Sequence, residues 1–360
     1  MRSSGRAQKS SPRPARSSLR AARSSPRPAG SSLGPARRPA EGAPGSRTLA
    51  FALLLVALAL PGCERWVCHN SDLRDLSPGI PESLLAVDLG DARRDDYPLG
   101  SLLAVGEGGV ILTAERDYGP LRITRTGAGS LRAALLGPNG RLYVAGDGGV
   151  MLTANLGDES WTPIDTGTDA DLHTLAWVDV GDRSLGDARA YQIAVGDEAV
   201  LVRDPVDGSW DLIPPPAGGW GRLRAVAADA RLHVAGLDGI LWSADDPWGP
   251  WSRFDSGPGP DLLAGGGDDF GAVLVGAGGT LLHRPAGRWE RVETGLGVDL
   301  VAVANDLVLA ADGRVFDILL LDDIEPLAWT AAGARGLDER DELILVGDHG
   351  SVQRIPRYCD

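Results

Sequence analysis

One short phrase returns seven times along this chain, typified by Ala145-Gly146-Asp147-Gly148-Gly149-Val150. The copies occupy residues 105–110, 145–150, 195–200, 235–240, 275–280, 309–314 and 346–351. Measured at the last small residue of each (109, 149, 199, 239, 279, 313 and 350), the steps are 40, 50, 40, 40, 34 and 37 residues. Each copy lies between apolar runs of strand length, and its Asp and Gly residues suit a two-residue hairpin whose glycines supply positive φ. A period near 40 with this punctuation is what a β-propeller requires, one four-stranded blade per repeat. The expected fold class is all-β, a seven-bladed β-propeller.

The second repeat shows the parse. An inner strand opens at Leu131, a second at Arg141, a third at Val150, and a fourth at Trp161. Equivalent tryptophans stand at Trp210, Trp251, Trp289 and Trp329, with steps of 49, 41, 38 and 40 that track the turns. The first repeat has Leu121-Arg122-Ile123-Thr124 instead. The last repeat runs out of chain after its third strand, and Glu64-Arg65-Trp66-Val67-Cys68 is similar to Gly287-Arg288-Trp289-Glu290-Arg291. Residues 64–69 are therefore expected to complete the last blade. Such closure removes the sheet edges that would template aggregation.

The chain begins in a different material. Residues 1–47 hold ten Arg, Lys9 and a single acid, Glu41, among Ser and Pro; nothing there can build a core. An apolar run at 49–60 follows, too short to span a bilayer but suited to the h-region of a secretory signal. Leu60-Pro61-Gly62-Cys63 resembles the bacterial lipobox, which makes 48–62 a lipoprotein-type signal and Cys63 the acylated first residue. The alternative is an ordinary signal and a secreted or periplasmic protein. Removing the 11 bases and 1 acid of residues 1–62 leaves 24 bases against 48 acids, a net charge of −24 on residues 63–360. That balance argues against nucleic acid as a partner. Cys68 and Cys359 remain, and in an oxidising compartment two cysteines default to one disulfide.

The repeat pattern Leu-Arg-Ala-Val, Val-Ala-Gly-Asp-Gly-Gly, Trp, whose first two parts appear intact in separate repeats at 223–226 and 144–149, resembles BNR/Asp-box-like propellers. Among them it is similar to the bacterial photosystem II assembly-factor type, over residues 64–356. The Asp box itself, Ser-x-Asp-x-Gly-x-x-Trp, is degenerate: Ser243-Ala244-Asp245 precedes Gly249 and Trp251, and Thr153-Ala154-Asn155-Leu156-Gly157 precedes Trp161. The resemblance implies a propeller that binds partner proteins, with an Arg-rich patch at the interface.

Sialidases share this repeat, and they resemble one another in an Arg triad with a Tyr nucleophile. Tyr97, Tyr118, Tyr143, Tyr191 and Tyr358 show no matching Glu and Arg pattern. His69, His173, His233, His283 and His349 are scattered singly, without metal-ligand spacing. The Asp-Gly turns could suggest calcium, but Asp-Gly is also ordinary hairpin chemistry. No phosphate loop, nucleophile elbow or dinucleotide fingerprint is present. The reading is a monomeric, non-catalytic binding or assembly propeller with no cofactor and no metal; the alternative is a divergent carbohydrate-active or sialidase-like enzyme.

One constellation stands out. Leu131-Arg132, Leu172-His173 and Leu223-Arg224 begin successive inner strands, so Arg132, His173 and Arg224 share one position on three adjacent blades. Leu85, Leu263 and Val301 hold that position elsewhere. With Arg222 beside them, they should form a cationic arc at the channel entrance, suited to an acidic ligand or to an envelope protein. The competing reading is that each Arg pairs with an acid and braces the ring. Trp220 and Trp248, in Gly- and Pro-flanked loops, are the candidate surface aromatics, whereas Trp177 and Trp242 fall on strands. Only two residues separate Cys63 from a strand begun by Trp66, a reach of about 10 Å. That tether would hold the face bearing residues 88–97 and 179–188 against the bilayer and point the arc away. Glu64 after the Cys suggests the outer membrane.

Overall fold

The computed structural model describes residues 74–89, 101–116, 118–137, 140–181, 189–254, 259–268, 271–318, 328–329, 333–339 and 342–356. The chain divides into Met1–Gly62 and Cys63–Asp360, and all described residues belong to the second. They form seven four-stranded antiparallel sheets, each a meander running outward from an inner strand. The inner strands are Leu84–Asp88, Leu131–Gly137, Leu172–Val180, Leu223–Ala228, Leu262–Asp268, Leu300–Ala304 and Ala334–Glu339, opening blades one to seven. Neighbouring inner strands pack on one another, and the seventh packs on the first. The ring is therefore closed, as the repeat count predicts. No helix among the described residues is long and apolar enough to cross a membrane.

The middle strands are apolar at nearly every position because each blade is covered by a neighbour on both faces. Leu102–Gly106 and Leu232–Gly236 are buried along their whole length. Between blades one and two, Leu103, Val105 and Ile111 meet Leu131, Leu136, Leu142 and Val144. Each such fully buried aliphatic side chain stabilises the ring by about 1.5–3 kcal/mol.

The recurrent phrase does more than turn the chain. In each blade the backbone N–H after its first small residue donates to the carbonyl just before the inner strand, at 2.8–3.1 Å in all seven. This staple ties the hairpin between the second and third strands to the strand at the axis. Gly146 has an extended φ of −175°. It is glycine because a Cβ there would lie 2.1 Å from the Ser130 carbonyl oxygen. Positive φ is needed later, at Gly148 (64°) and Gly149 (70°). A Cβ on Gly149 would also strike the Thr168 carbonyl in the link to the next blade, 1.9 Å away. The loop in this blade has three residues, Asp147–Gly149, because Gly146 pairs across to Val150. A two-residue hairpin occurs in blade three, where Gly196 pairs with Ala199 and Glu198 takes a φ of 57°.

The N-terminal segment does complete the last blade, but with Arg74–Asp75, not with the residues expected. These pair with Arg354 and Gln353 of Val352–Pro356. Leu76 N–H then donates to the Val352 carbonyl at 2.9 Å, and Ser77 Oγ accepts from Val352 N–H at 3.0 Å. Two residues suffice because the flanking groups carry the pairing onward. Residues 64–69, the lipidation candidate Cys63, and Cys68 and Cys359 lie outside the described residues.

Candidate functional site

Three of the four candidate cations of the channel entrance owe their placement to a repeated defect; the fourth, Arg222, precedes its inner strand and forms an isolated β-bridge with Asp197. In every blade the ladder between the first and second strands slips after one residue, so that two inner residues oppose one. The skipped residue is Leu85, Arg132, His173, Arg224, Leu263, Val301 or Arg335. A β-bulge frees such a residue from the ladder and re-aims its side chain. Arg132, His173 and Arg224 do share this position, as sequence spacing predicts. Arg335 shares it too and was missed, because its strand opens with Ala334 where the other six open with Leu. The populated sector therefore runs through blades seven, two, three and four, with Leu85 in blade one between.

Each of these arginines meets an acid from a turn. Arg132 Nε donates to Asp147 Oδ1 at 2.6 Å, and Arg335 Nε to Asp348 Oδ1 at 2.7 Å. Both acids come from the recurrent turn of the same blade. Arg224 reaches across instead: its Nη1 donates to Asp197 Oδ1 of blade three at 2.6 Å and to the Leu223 carbonyl at 2.7 Å. Arg222 contacts Asp238 at 3.4 Å, with both side chains more than half exposed.

His173 is the exception among the expected cations. Its Nε2 lies 3.5 Å from Asp197 Oδ1, too far for a good hydrogen bond. Burial first, and then the positive charge of Arg224, hold its pKa below the ordinary His value, so the ring is neutral at pH 7. Burial works to raise the Asp197 carboxyl, but the Arg224 bond and charge outweigh it and the net shift is downward. Asp197 thus serves as the anion between blades three and four.

The two modes of pairing leave different surfaces. Arg132 and Arg335 are held through Nε, with side chains 37% and 48% exposed. Their terminal Nη groups have no acceptor among the described residues, so each guanidinium is oriented by its acid and still has a free edge. Arg224 is 20% exposed and bound at two acceptors. The first pair can receive a carboxylate; the second is a brace.

Asp171, His173 and Asp197 bring three ligand-type atoms within 4.8 Å of one another. The Asp171 carboxylate accepts from Gly148 N–H at 2.7 Å, and Asp197 is bonded to Arg224. A metal ion there would compete with a guanidinium already in place. A second polar cluster lies inside the ring. His233 Nδ1 is 2.7 Å from Ser243 Oγ and its Nε2 is 3.4 Å from Asp229, while Arg284 of blade five bonds the same carboxylate. The residue types are those of a hydrolase triad, yet His233 is wholly buried and Asp229 already has its cation. It joins blades four and five.

Of the two candidate surface tryptophans, only one reaches the surface. Trp220 is 1% exposed, donates to the Ile213 carbonyl at 3.2 Å and packs edge-on against Trp242 and Trp251. Gly218, Gly219 and Gly221, at φ of 100°, 79° and 74°, let the loop turn its indole inward. Trp248 is 41% exposed.

The class these features define is a closed seven-bladed β-propeller with a partly braced, Arg-bearing face at its axis. Solved propellers superpose on it at low sequence identity. The RRP9 WD40 repeats match with a TM-score of 0.62 and 15% identity, covering 81% of this chain and 99% of theirs. A catalytically inactive variant of virginiamycin B lyase from Staphylococcus aureus, with quinupristin, matches with a TM-score of 0.62, 10% identity, and 79% and 99% coverage. YCF48 from Cyanidioschyzon merolae matches with a TM-score of 0.55, 15% identity, and 79% and 98% coverage. No protein-family model matches the chain, and no curated protein matches it in sequence.

Proposed function

We propose that this chain is a non-catalytic, protein-binding propeller tethered to the cell envelope through Cys63. The observation that carries the binding role is the Nε-anchored pair Arg132 and Arg335, one on each side of blade one, whose Nη edges have no acceptor among the described residues. A guanidinium already oriented by one acid loses little further freedom when it binds a second, and its planar fork suits a carboxylate. The ligand class is therefore an acidic side chain or C-terminus presented by a partner protein. WD40 repeats and YCF48 among the structural neighbours are in keeping with an interaction scaffold.

The anchor reading rests on the sequence of residues 48–63. Because the first described strand starts at Arg74, ten residues, 64–73, separate it from Cys63. Their extended reach is roughly 35 Å. With the strand starting at Arg74 and not at Trp66, the close docking expected from a two-residue link is withdrawn. Metabolic labelling with a radioactive fatty acid tests the anchor: label should enter the parent and be absent from Cys63→Ser.

The binding role is tested by capture from detergent-solubilised envelope. Arg132→Ala with Arg335→Ala should lose a partner that the parent retains, with only a small change in the thermal midpoint. Retained capture in that double variant would sink the proposal. Turnover of a glycoside that depends on one carboxylate of the ring would replace it with the enzyme reading.

A further inference from the structure

Away from the axis, a groove of about 400 Å³ runs along the outer strand of blade three, lined by Asp165, Trp210, Asp211, Leu212, Pro214 and Trp248 among others. Two of its features are unusual for this molecule. Trp248 and Phe254 are the exposed large aromatic side chains among the described residues, and of these Trp248 is the one in the groove. Its ring is held, not loose. The indole N–H donates to Asp211 Oδ2 at 3.1 Å, the backbone N–H donates to Asp246 Oδ1 at 2.9 Å, and Tyr191 packs edge-on with ring centroids 5.7 Å apart.

The second feature is unbalanced charge. Asp165 and Asp211 line the groove, and no Arg or Lys among the described residues does. Asp165 accepts from Gly167 N–H at 3.0 Å and Asp211 from the Trp248 indole, both neutral donors. Neither carboxylate meets a cation among the described residues, unlike Asp147, Asp197, Asp229 and Asp348. An exposed indole face beside a carboxylate without a counter-ion favours a cation, through the ring quadrupole and the charge together. The strand Trp210–Leu212 is also the last of its sheet, with no described strand on its outer side, so an extended chain can lie along it.

We propose that this groove is a docking site for an extended basic segment of a partner protein, which places an arginine or lysine over the face of the Trp248 ring and beside the Asp211 carboxylate. The match of a groove lined by carboxylates to a basic segment sets the occupant, and the net charge of −24 on residues 63–360 would draw such a segment toward the surface. The site is independent of the Arg132 and Arg335 face and stands whether or not that face binds acids.

Isothermal titration of the full chain in detergent, with a blocked five-residue peptide carrying two arginines, tests the idea against the same peptide carrying citrulline. The arginine peptide should bind saturably and more weakly as salt rises, and the citrulline peptide should not bind. Trp248→Ala and Asp211→Asn should each weaken binding roughly tenfold, with Trp248→Phe between them and the parent. Phe254→Ala, an equally exposed aromatic outside the groove, should bind as the parent does. Equal binding of the citrulline peptide would overturn the proposal. So would unchanged affinity in Trp248→Ala and Asp211→Asn, or saturation by a neutral oligosaccharide such as chitotetraose in place of the arginine peptide.

Discussion

The chain contains two clusters of arginine, aspartate and histidine that look alike on paper and differ in what surrounds them. At the axis, Arg132, Arg335 and Arg224 meet turn acids beside His173. Inside the wall, Arg284, Asp229, His233 and Ser243 form a chain of contacts from blade five to blade four. Arg284 is 11% and Asp229 14% exposed, against 37% and 33% for Arg132 and Asp147. Water screens the axial pairs and lowers their contribution to stability, while leaving their free edges open to a partner. The interior cluster has no such freedom: each member is needed to compensate the burial of the next. The same residue types therefore yield exposed guanidinium edges in one place and a rivet in the other.

The contrast breaks most sharply at Arg284. Arg284→Ala leaves the Asp229 carboxylate buried without its cation and should destabilise the ring by about 3–5 kcal/mol in chemical denaturation. A loss below about 1 kcal/mol, the level of an exposed pair, would show that the interior cluster is no rivet.

Next comes pH. Burial raises the Asp229 carboxyl, but His233, the Arg231 backbone and Arg284 bring it down to about 2 from 3.8. The unfolded chain then binds the proton first as pH falls. This stabilisation is complete above about pH 4 and lost on the way to pH 2, a term of about 2 kcal/mol. Burial lowers His233 below 6.5, and its neutral folded form likewise loses stability as pH falls below that value. Denaturation midpoints should decline steadily in acid from about pH 6.5. His233→Gln should shrink the upper part of that decline without abolishing it, since His173 shifts the same way. A midpoint that rises between pH 7 and 5 contradicts the whole account.

The smallest effects belong to the axial face. Arg132→Ala and Arg335→Ala should each change stability by less than about 1 kcal/mol, as expected of exposed pairs. Arg224→Ala, which removes the donor shared by Asp197 and the Leu223 carbonyl, should cost more than either. If all three variants unfold alike, the division of this face into a receptor pair and a brace has no basis.

Much of this architecture could be read before any coordinates. The recurrent turn and the tryptophan series carry the seven blades, since a repeat must place its hairpins and strand starts at a constant spacing. The need for a strand from the N-terminus followed from a last repeat that ends one strand short. The shared position of Arg132, His173 and Arg224 followed from their place after the first apolar residue of each inner strand. These are local facts, recorded one repeat at a time.

Other features depend on what lies across space. Residues 74–75 close the last blade although Trp66 better matches the repeat, because pairing there is carried by backbone groups and a single serine hydroxyl, which no repeated motif marks. Arg335 joined the axial face through a bulge that forms whether its strand opens with Leu or Ala. Trp220 turned inward because Trp242 and Trp251 offer it a packed wall, and its immediate neighbours in sequence are only glycines. The free edges of Arg132 and Arg335, and the carboxylates left without cations beside Trp248, are likewise matters of which neighbours arrive. Periodicity specifies how often a blade recurs, whereas burial and the pairing of charge depend on residues distant in the chain, so only the closed ring could decide them.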